Sequence, residues 1–211
     1  SCTTPGFASC AFASPAVRAT GIAALSYRPA SDLPVSVAAP VGRRYYWRVR
    51  ACDATSCGSW SAVRYLDVGR VPSDFNGDGY ADLVVGAHGQ DSGATDEGNA
   101  YVYLGGATGV PATPTITLDN PANQAGGRFG YSVASAGDVN GDGFGEVVIG
   151  AYGERSYEGA AYVYRGGASG LRATPALVLR GPAGAGGRFG CFAVRAGSFE
   201  GRLERSDARR A

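Results

Sequence analysis

Asp74-Phe-Asn-Gly-Asp-Gly-Tyr-Ala-Asp82-Leu-Val-Val-Gly-Ala87 recurs 64 residues later as Asp138-Val-Asn-Gly-Asp-Gly-Phe-Gly-Glu146-Val-Val-Ile-Gly-Ala151. Each copy is an acidic, Gly-rich loop running straight into an apolar stretch. Behind it, Ala100-Tyr-Val-Tyr-Leu-Gly-Gly-Ala107 recurs as Ala161-Tyr-Val-Tyr-Arg-Gly-Gly-Ala168, offset by 61. Gly126-Gly-Arg-Phe-Gly130 then recurs as Gly186-Gly-Arg-Phe-Gly190, offset by 60. The shrinking offset places the lost residues in loops, where deletions are tolerated. A unit of about 60 residues present twice is the signature of a repeat architecture.

The complete copy predicts four short strands: Tyr131–Ala136, Glu146–Gly150, Ala160–Arg165 and Ala176–Leu179. Each is rich in Val, Tyr or Leu and bounded by Gly, Pro, Asn or Asp. Val147-Val-Ile is continuously apolar, as a strand buried on both faces is, whereas Tyr162-Val-Tyr alternates with smaller or polar neighbours. A four-stranded antiparallel sheet repeated radially is a propeller blade; a pair of related, stacked β-sandwich modules is the alternative. The first copy lacks an opening strand, because no Phe-Gly element precedes Asp74. The fold expected is all-β, with about two incomplete propeller blades.

Composition agrees. The 211 residues include 34 Gly and 11 Pro, with 45% hydrophobic residues and a net charge of +1, so the chain is turn-rich yet apolar enough to bury a core. Charge is unevenly spread: residues 1–70 carry 8 Arg against 3 acids, residues 71–190 carry 6 Arg against 12 acids, and residues 191–211 carry 5 Arg against 3. Carboxylates gathered in Gly-rich loops point to a cation rather than to nucleic acid. The scattered Arg form no aromatic-basic stripe, so no nucleic-acid partner is expected. No run of 18 apolar residues exists to span a membrane.

Asp74, Asn76, Asp78 and Asp82 occupy loop positions one, three, five and nine, with the carbonyl of Tyr80 at seven. Alternate side chains of a tight loop converge, and Gly77 and Gly79 permit the positive φ that such a turn needs. Hard oxygen donors of this kind suit Ca²⁺. The second loop offers Asp138, Asn140, Asp142, the carbonyl of Phe144, and Glu146, one methylene longer than Asp82. An EF-hand is rejected: position twelve, which should be a bidentate Glu, is Val85 or Ile149. An Asx-rich turn without metal is the plain alternative.

On these residues the chain resembles the FG-GAP repeats of the integrin α-subunit β-propeller. The name elements are Phe129-Gly130 and Phe189-Gly190, with Gly86-Ala87-His88 and Gly150-Ala151-Tyr152 where the family has Gly-Ala-Pro. The resemblance covers residues 74–190 and implies a Ca²⁺-stabilised, extracellular or cell-surface propeller that serves adhesion or ligand binding. It implies a protein or glycan partner, and His88–Asn99 and Tyr152–Gly159 are the loops expected to meet it.

Tyr45-Tyr-Trp-Arg-Val-Arg-Ala51 and Gly58-Ser-Trp-Ser-Ala-Val-Arg-Tyr-Leu66 resemble the last two strands of a fibronectin type III domain. A full sandwich needs about 90–100 residues, so residues 1–70 are expected to hold a partial one, with an earlier strand at Leu33–Val37. Cys52 and Cys57 flank a turn-like tetrapeptide; a disulfide across it is favoured over metal ligation, which places the chain in an oxidising compartment. Cys2 and Cys10 complete the early group, and Cys191 is left over.

Residues 71–190 are thus the repeat region, and residues 191–211 a degenerate third repeat with a poorly ordered tail. There Ser198, Glu200 and Arg202 fall where Asp138, Asn140 and Asp142 stood. Two blades do not close a ring, so the chain reads as a fragment of a secreted or surface protein, its signal peptide outside this chain, with open sheet edges that favour self-association. The function expected is non-enzymatic. The alternative is an accessory propeller portion of a secreted hydrolase, although the sequence has neither a Gly-x-Ser-x-Gly elbow nor a His-Glu-x-x-His motif.

Overall fold

A computed structural model describes residues 19–22, 32–181 and 187–191. The first regular elements are β1 (Arg43–Trp47) and β2 (Arg64–Val68), an antiparallel ribbon with Arg43 opposite Val68 and Trp47 opposite Arg64. Next come β3 (Leu83–Ala87), β4 (Asn99–Tyr103) and β5 (Ile116–Asp119), an antiparallel sheet of three strands in that order. A second sheet follows with four: β6 (Phe129–Gly137), β7 (Glu146–Ala151), β8 (Ala160–Tyr164) and β9 (Leu177–Arg180). The architecture is that of incomplete propeller blades, nearly all-β and, among the described residues, with no closed barrel.

The repeat in sequence is a repeat in register. Val85 faces Tyr101 and Gly86 faces Ala100 in the first sheet, as Ile149 faces Tyr162 and Gly150 faces Ala161 in the second. The four predicted strands of the second unit are all present, and β6 is longer than expected because it starts at Phe129. Irregularities between Phe129 and Ser132, and between Ser135 and Gly137, bend β6, which also packs on β3 and β4 of the first sheet. The core therefore lies between the two blades. Phe129 is fully buried there, edge-on to Tyr162 at 5.6 Å and to Tyr164 at 6.2 Å. Burying such a ring stabilises by roughly 1.5–3 kcal/mol, with a further contribution from the aromatic geometry.

Before residue 71 the structure departs from the expectation of a sandwich. Leu33–Val37 forms no strand, and the second strand of the ribbon begins at Arg64, not at Gly58. Among the described residues of this segment no hydrophobic side chain is buried, and Trp47, Val49 and Trp60 are exposed. Among the described residues the alternation Tyr45, Trp47, Val49, Ala51 has no facing sheet to bury it, so a fibronectin-type domain finds no support. Arg48 and Arg50 instead stack on Trp60, each 4.4 Å from the ring. The Cys52–Cys57 disulfide is formed. Cys191 is free among the described residues. Cys2, Cys10, the 192–194 end of the edge expected at Phe189–Val194, and the tail with Ser198, Glu200 and Arg202 lie outside the described residues. No helix among the described residues is long and apolar enough to cross a membrane.

Candidate functional site

The acidic loops precede corresponding strands: loop one (74–82) leads into β3, at the edge of its sheet, and loop two (138–146) into β7, an inner strand. In loop one the backbone curls around Asp74, which is buried. Its Oδ1 accepts from the amides of Gly77 (2.6 Å) and Asp78 (3.1 Å), and its Oδ2 accepts from Gly79 (2.8 Å). Gly77 and Gly79 have φ of 74° and 91°, the left-handed conformation that aims successive N–H groups inward. Asp82, also buried, closes the loop by accepting from Phe75 N at 2.6 Å and, across the sheet, from Gly105 N at 2.8 Å. Asn76 and Asp78 bond each other at 2.9 Å, and Tyr80 is held through its amide to Asp78 at 2.9 Å.

Loop two repeats this pattern with two differences. Asp138 accepts from Gly141 N (2.7 Å) and Gly143 N (3.1 Å), Asn140 donates to Asp142 (2.9 Å), and Phe144 N donates to Asp142 (3.0 Å). The longer Glu146 folds back into its own loop, accepting from Val139 N at 2.8 Å and from the Asn140 amide at 3.2 Å. The second difference comes from outside the unit: Arg70 and Arg44 reach the Asp138 carboxylate. Among the described residues no arginine pairs with Asp74, Asp78 or Asp82.

Charge is costly in both loops. Burial pushes Asp74 and Asp82 above the usual carboxylate range, opposed by their amide donors and reinforced by the charge of Asp78. Burial, with repulsion from Asp142 and Asp138, pushes Glu146 up to about 7. A hard cation relieves this kind of stress. The donor types of both loops fit Ca²⁺, all oxygen and mostly anionic. Among the described residues, however, no group of three or more His, Cys, Asp or Glu side chains is arranged to hold a metal ion. The carboxylates are turned onto their own backbone amides instead.

The two loops are neighbours. A Cβ on Gly77 would lie 2.7 Å from the ring of Phe144 and 2.9 Å from Cα of Pro40. The amide of Gly145 donates to the carbonyl of Asp74 at 2.8 Å, and that of Val41 donates to the carbonyl of Gly77 at 2.8 Å. Pro40–Arg44 thus lies against both loops, a placement that no local sequence signal announces.

A file of rings joins the two loops expected to meet a ligand through Tyr131 of β6. His88 and Tyr131 are 5.1 Å apart, Tyr131 and Tyr152 4.5 Å, and Tyr152 and Tyr157 6.1 Å, with Tyr131 and Tyr157 exposed. Glu97 and Glu154, which lie within the two segments expected to meet a ligand, are both fully buried. Glu97 accepts from the amides of Ser92 (2.9 Å) and Gly93. Glu154 accepts from the Tyr162 hydroxyl at 2.7 Å and lies 3.5 Å from Arg180, its pKa raised by burial.

Residues 71–103 and 129–164 match the family described as FG-GAP repeat. The chain is 36% identical over 115 residues to Integrin alpha-5 of Xenopus laevis and 37% identical over 116 residues to Integrin alpha-4 of the same species. It is 36% identical over 129 residues to Integrin alpha-IIb of Homo sapiens. These matches cover 52%, 55% and 58% of this chain but 11%, 11% and 12% of the relatives, so the chain spans about a tenth of their length. Over the two units this chain is similar to the FG-GAP repeats and to the integrin α-subunits.

Proposed function

We propose that residues 71–190 form a Ca²⁺-stabilised, non-enzymatic recognition module that works outside the cell or at its surface, in adhesion or ligand binding. The observation that carries the reading is the pair of acidic loops, in register with each other and burying carboxylates that lack a full counter-charge. Asp74, Asn76, Asp78, the Tyr80 carbonyl and Asp82 hold the cation in loop one. Asp138, Asn140, Asp142, the Phe144 carbonyl and Glu146 hold it in loop two. The cation supplies the positive charge that lets these groups stay ionised and fixes each loop against the strand behind it. The similarity to integrin α-subunits supports the surface location, as does the disulfide. The partner is a protein or a glycan, met by the ring file from His88 to Tyr157. Burial of Glu97 and Glu154 leaves them poorly placed for hydrolytic acid–base work.

In this reading residues 1–70 are a segment apart from the repeats, and residues 191–211 a degenerate continuation. Calorimetric titration of the full chain with Ca²⁺ tests the cation sites. Saturable binding is expected at dissociation constants of about 10⁻⁴–10⁻³ M, with a rise in melting temperature that a chelator reverses. A flat titration at millimolar Ca²⁺ overturns the assignment.

A further inference from the structure

Asp138 is the first ligand position of loop two and the counterpart of Asp74, yet its surroundings differ in kind. Arg70 Nη1 donates to its Oδ2, and Arg44 Nη2 lies 3.4 Å from the same oxygen. Arg44 also reaches the Asp138 carbonyl, at 3.3 Å from Nη2 and 3.4 Å from Nη1. These arginines are not loose surface side chains. Arg44 is anchored bidentately to Asp67 on the facing strand, at 2.8 and 2.9 Å, and stacks over Tyr65 at 4.2 Å. The side chains of Asp138, Arg44 and Arg70 are only 8%, 10% and 15% exposed. Behind them the ribbon is fitted to the loop: a Cβ on Gly143 would lie 2.8 Å from Cβ of Pro40 and 3.3 Å from Arg70 Nη2.

We propose that Arg44 and Arg70 are the resident counter-charge of loop two, so that a divalent cation enters this loop only by displacing the β1–β2 ribbon from Asp138, and loop one fills first. The proposal rests on the cation reading of the loops. An ion coordinated by Asp138 at the usual Ca²⁺–oxygen separation of about 2.3–2.6 Å would share one carboxylate oxygen with two guanidinium groups in a poorly solvated place. Like charges so close repel strongly there, since little water screens them. Among the described residues loop one has no such competitor, because Asp74 is met there by backbone amides alone. Linkage makes the effect reciprocal: by whatever factor the docked ribbon weakens cation binding, the bound cation weakens docking. Arg44 and Arg70 thereby set the affinity of a site they do not belong to, from 94 and 68 residues away in the chain.

The test uses the full chain with loop one silenced by Asp78→Ala, titrated with Ca²⁺ by calorimetry. Adding Arg44→Gln and Arg70→Gln is expected to tighten binding to loop two about tenfold or more, the size of change that one close charge contributes. Hydrogen exchange on the unsubstituted chain gives a second readout that does not depend on how the variants fold. Saturating Ca²⁺ should lower the protection of the amides in Arg43–Trp47 while raising it in loops one and two. Equal affinity with and without the arginines, or ribbon protection unmoved by saturating Ca²⁺, overturns the proposal and leaves the cation sites standing. Absence of saturable binding in every variant, with loop one intact or silenced, overturns both.

Discussion

The two repeats share loop spacing and strand register, yet they live in different surroundings. In the second, β7 lies between β6 and β8, and Val147 and Ile149 are fully buried. In the first, the corresponding Leu83 and Val85 on β3 are exposed, because among the described residues β3 pairs with β4 alone and no strand stands in the place of β6. The same apolar motif is therefore a core strand in one blade and an edge in the other. The loops diverge in the same way. Loop one satisfies Asp74 with its own amides, whereas loop two borrows two arginines from the ribbon. A repeat specifies local geometry faithfully, but burial and charge balance depend on what packs around each copy.

The sharpest way to break this comparison is to remove the residue that makes the second blade a core. Phe129→Ala deletes a fully buried ring edge-on to Tyr162 and Tyr164. It should cost about 3–5 kcal/mol, measured by urea unfolding. A loss under about 1 kcal/mol would mean that the blades do not share a core around this ring.

Next in size is Asp138→Ala in Ca²⁺-free conditions. It takes from Arg70 its close carboxylate partner, leaves Arg44 with Asp67 alone and the amides of Gly141 and Gly143 without an acceptor, and should cost about 2–4 kcal/mol. Asp74→Ala leaves the amides of Gly77 and Gly79 without an acceptor, that of Asp78 keeping Asn76 Oδ1 at 3.2 Å, and leaves no charge unpaired, so its cost should be smaller, about 1–3 kcal/mol. Unfolding curves of the two variants side by side decide it, and a reversed order would contradict the role given to the arginines.

A smaller effect is expected from pH. Glu146 holds its proton to about pH 7 in the folded chain against an ordinary value of 4.5, through burial and the nearby charges of Asp142 and Asp138. Folding then binds the proton more tightly, so the extra stability is complete below pH 4.5 and disappears as pH rises through about 7. With a chelator present, Glu146 should contribute a decline of roughly 1–2 kcal/mol over that window, reduced from the full linkage value by solvent screening. Glu146→Gln should flatten the profile by that amount, and an unchanged slope would rule Glu146 out as its source.

The smallest effect belongs to the exposed edge. Val85 is 42% exposed, so Val85→Ala should cost less than about 1 kcal/mol, while Ile149→Ala, its buried counterpart, should cost about 2–5 kcal/mol. Similar losses at the two positions would show that β3 is covered after all.

Much of this was legible in the residues. The repeated Asp-x-Asn-Gly-Asp-Gly loop followed by a Val-rich run announced β3 and β7, and the Tyr-Val-Tyr stretches announced β4 and β8, because period and turn chemistry are local properties. Phe129 was read as a motif residue preceding the strand and turned out to be the centre of the core. The ribbon was half legible: β1 and the Cys52–Cys57 bridge were expected, but the alternation of Tyr45 and Trp47 promised a buried face that no second sheet supplies among the described residues.

By itself the sequence determined the all-β class, the two units and their register, and the acidic loops, since each rests on spacing within a few residues. Only the tertiary structure decided which copy of the apolar strand is buried, that Glu97 and Glu154 turn inward, and that Arg44 and Arg70 meet Asp138. Those outcomes depend on contacts between residues tens of positions apart, and such contacts leave no periodicity in the chain. Two loops of nearly identical sequence can then differ in charge balance, because the long-range partners that neutralise a carboxylate are placed by the fold of the whole chain.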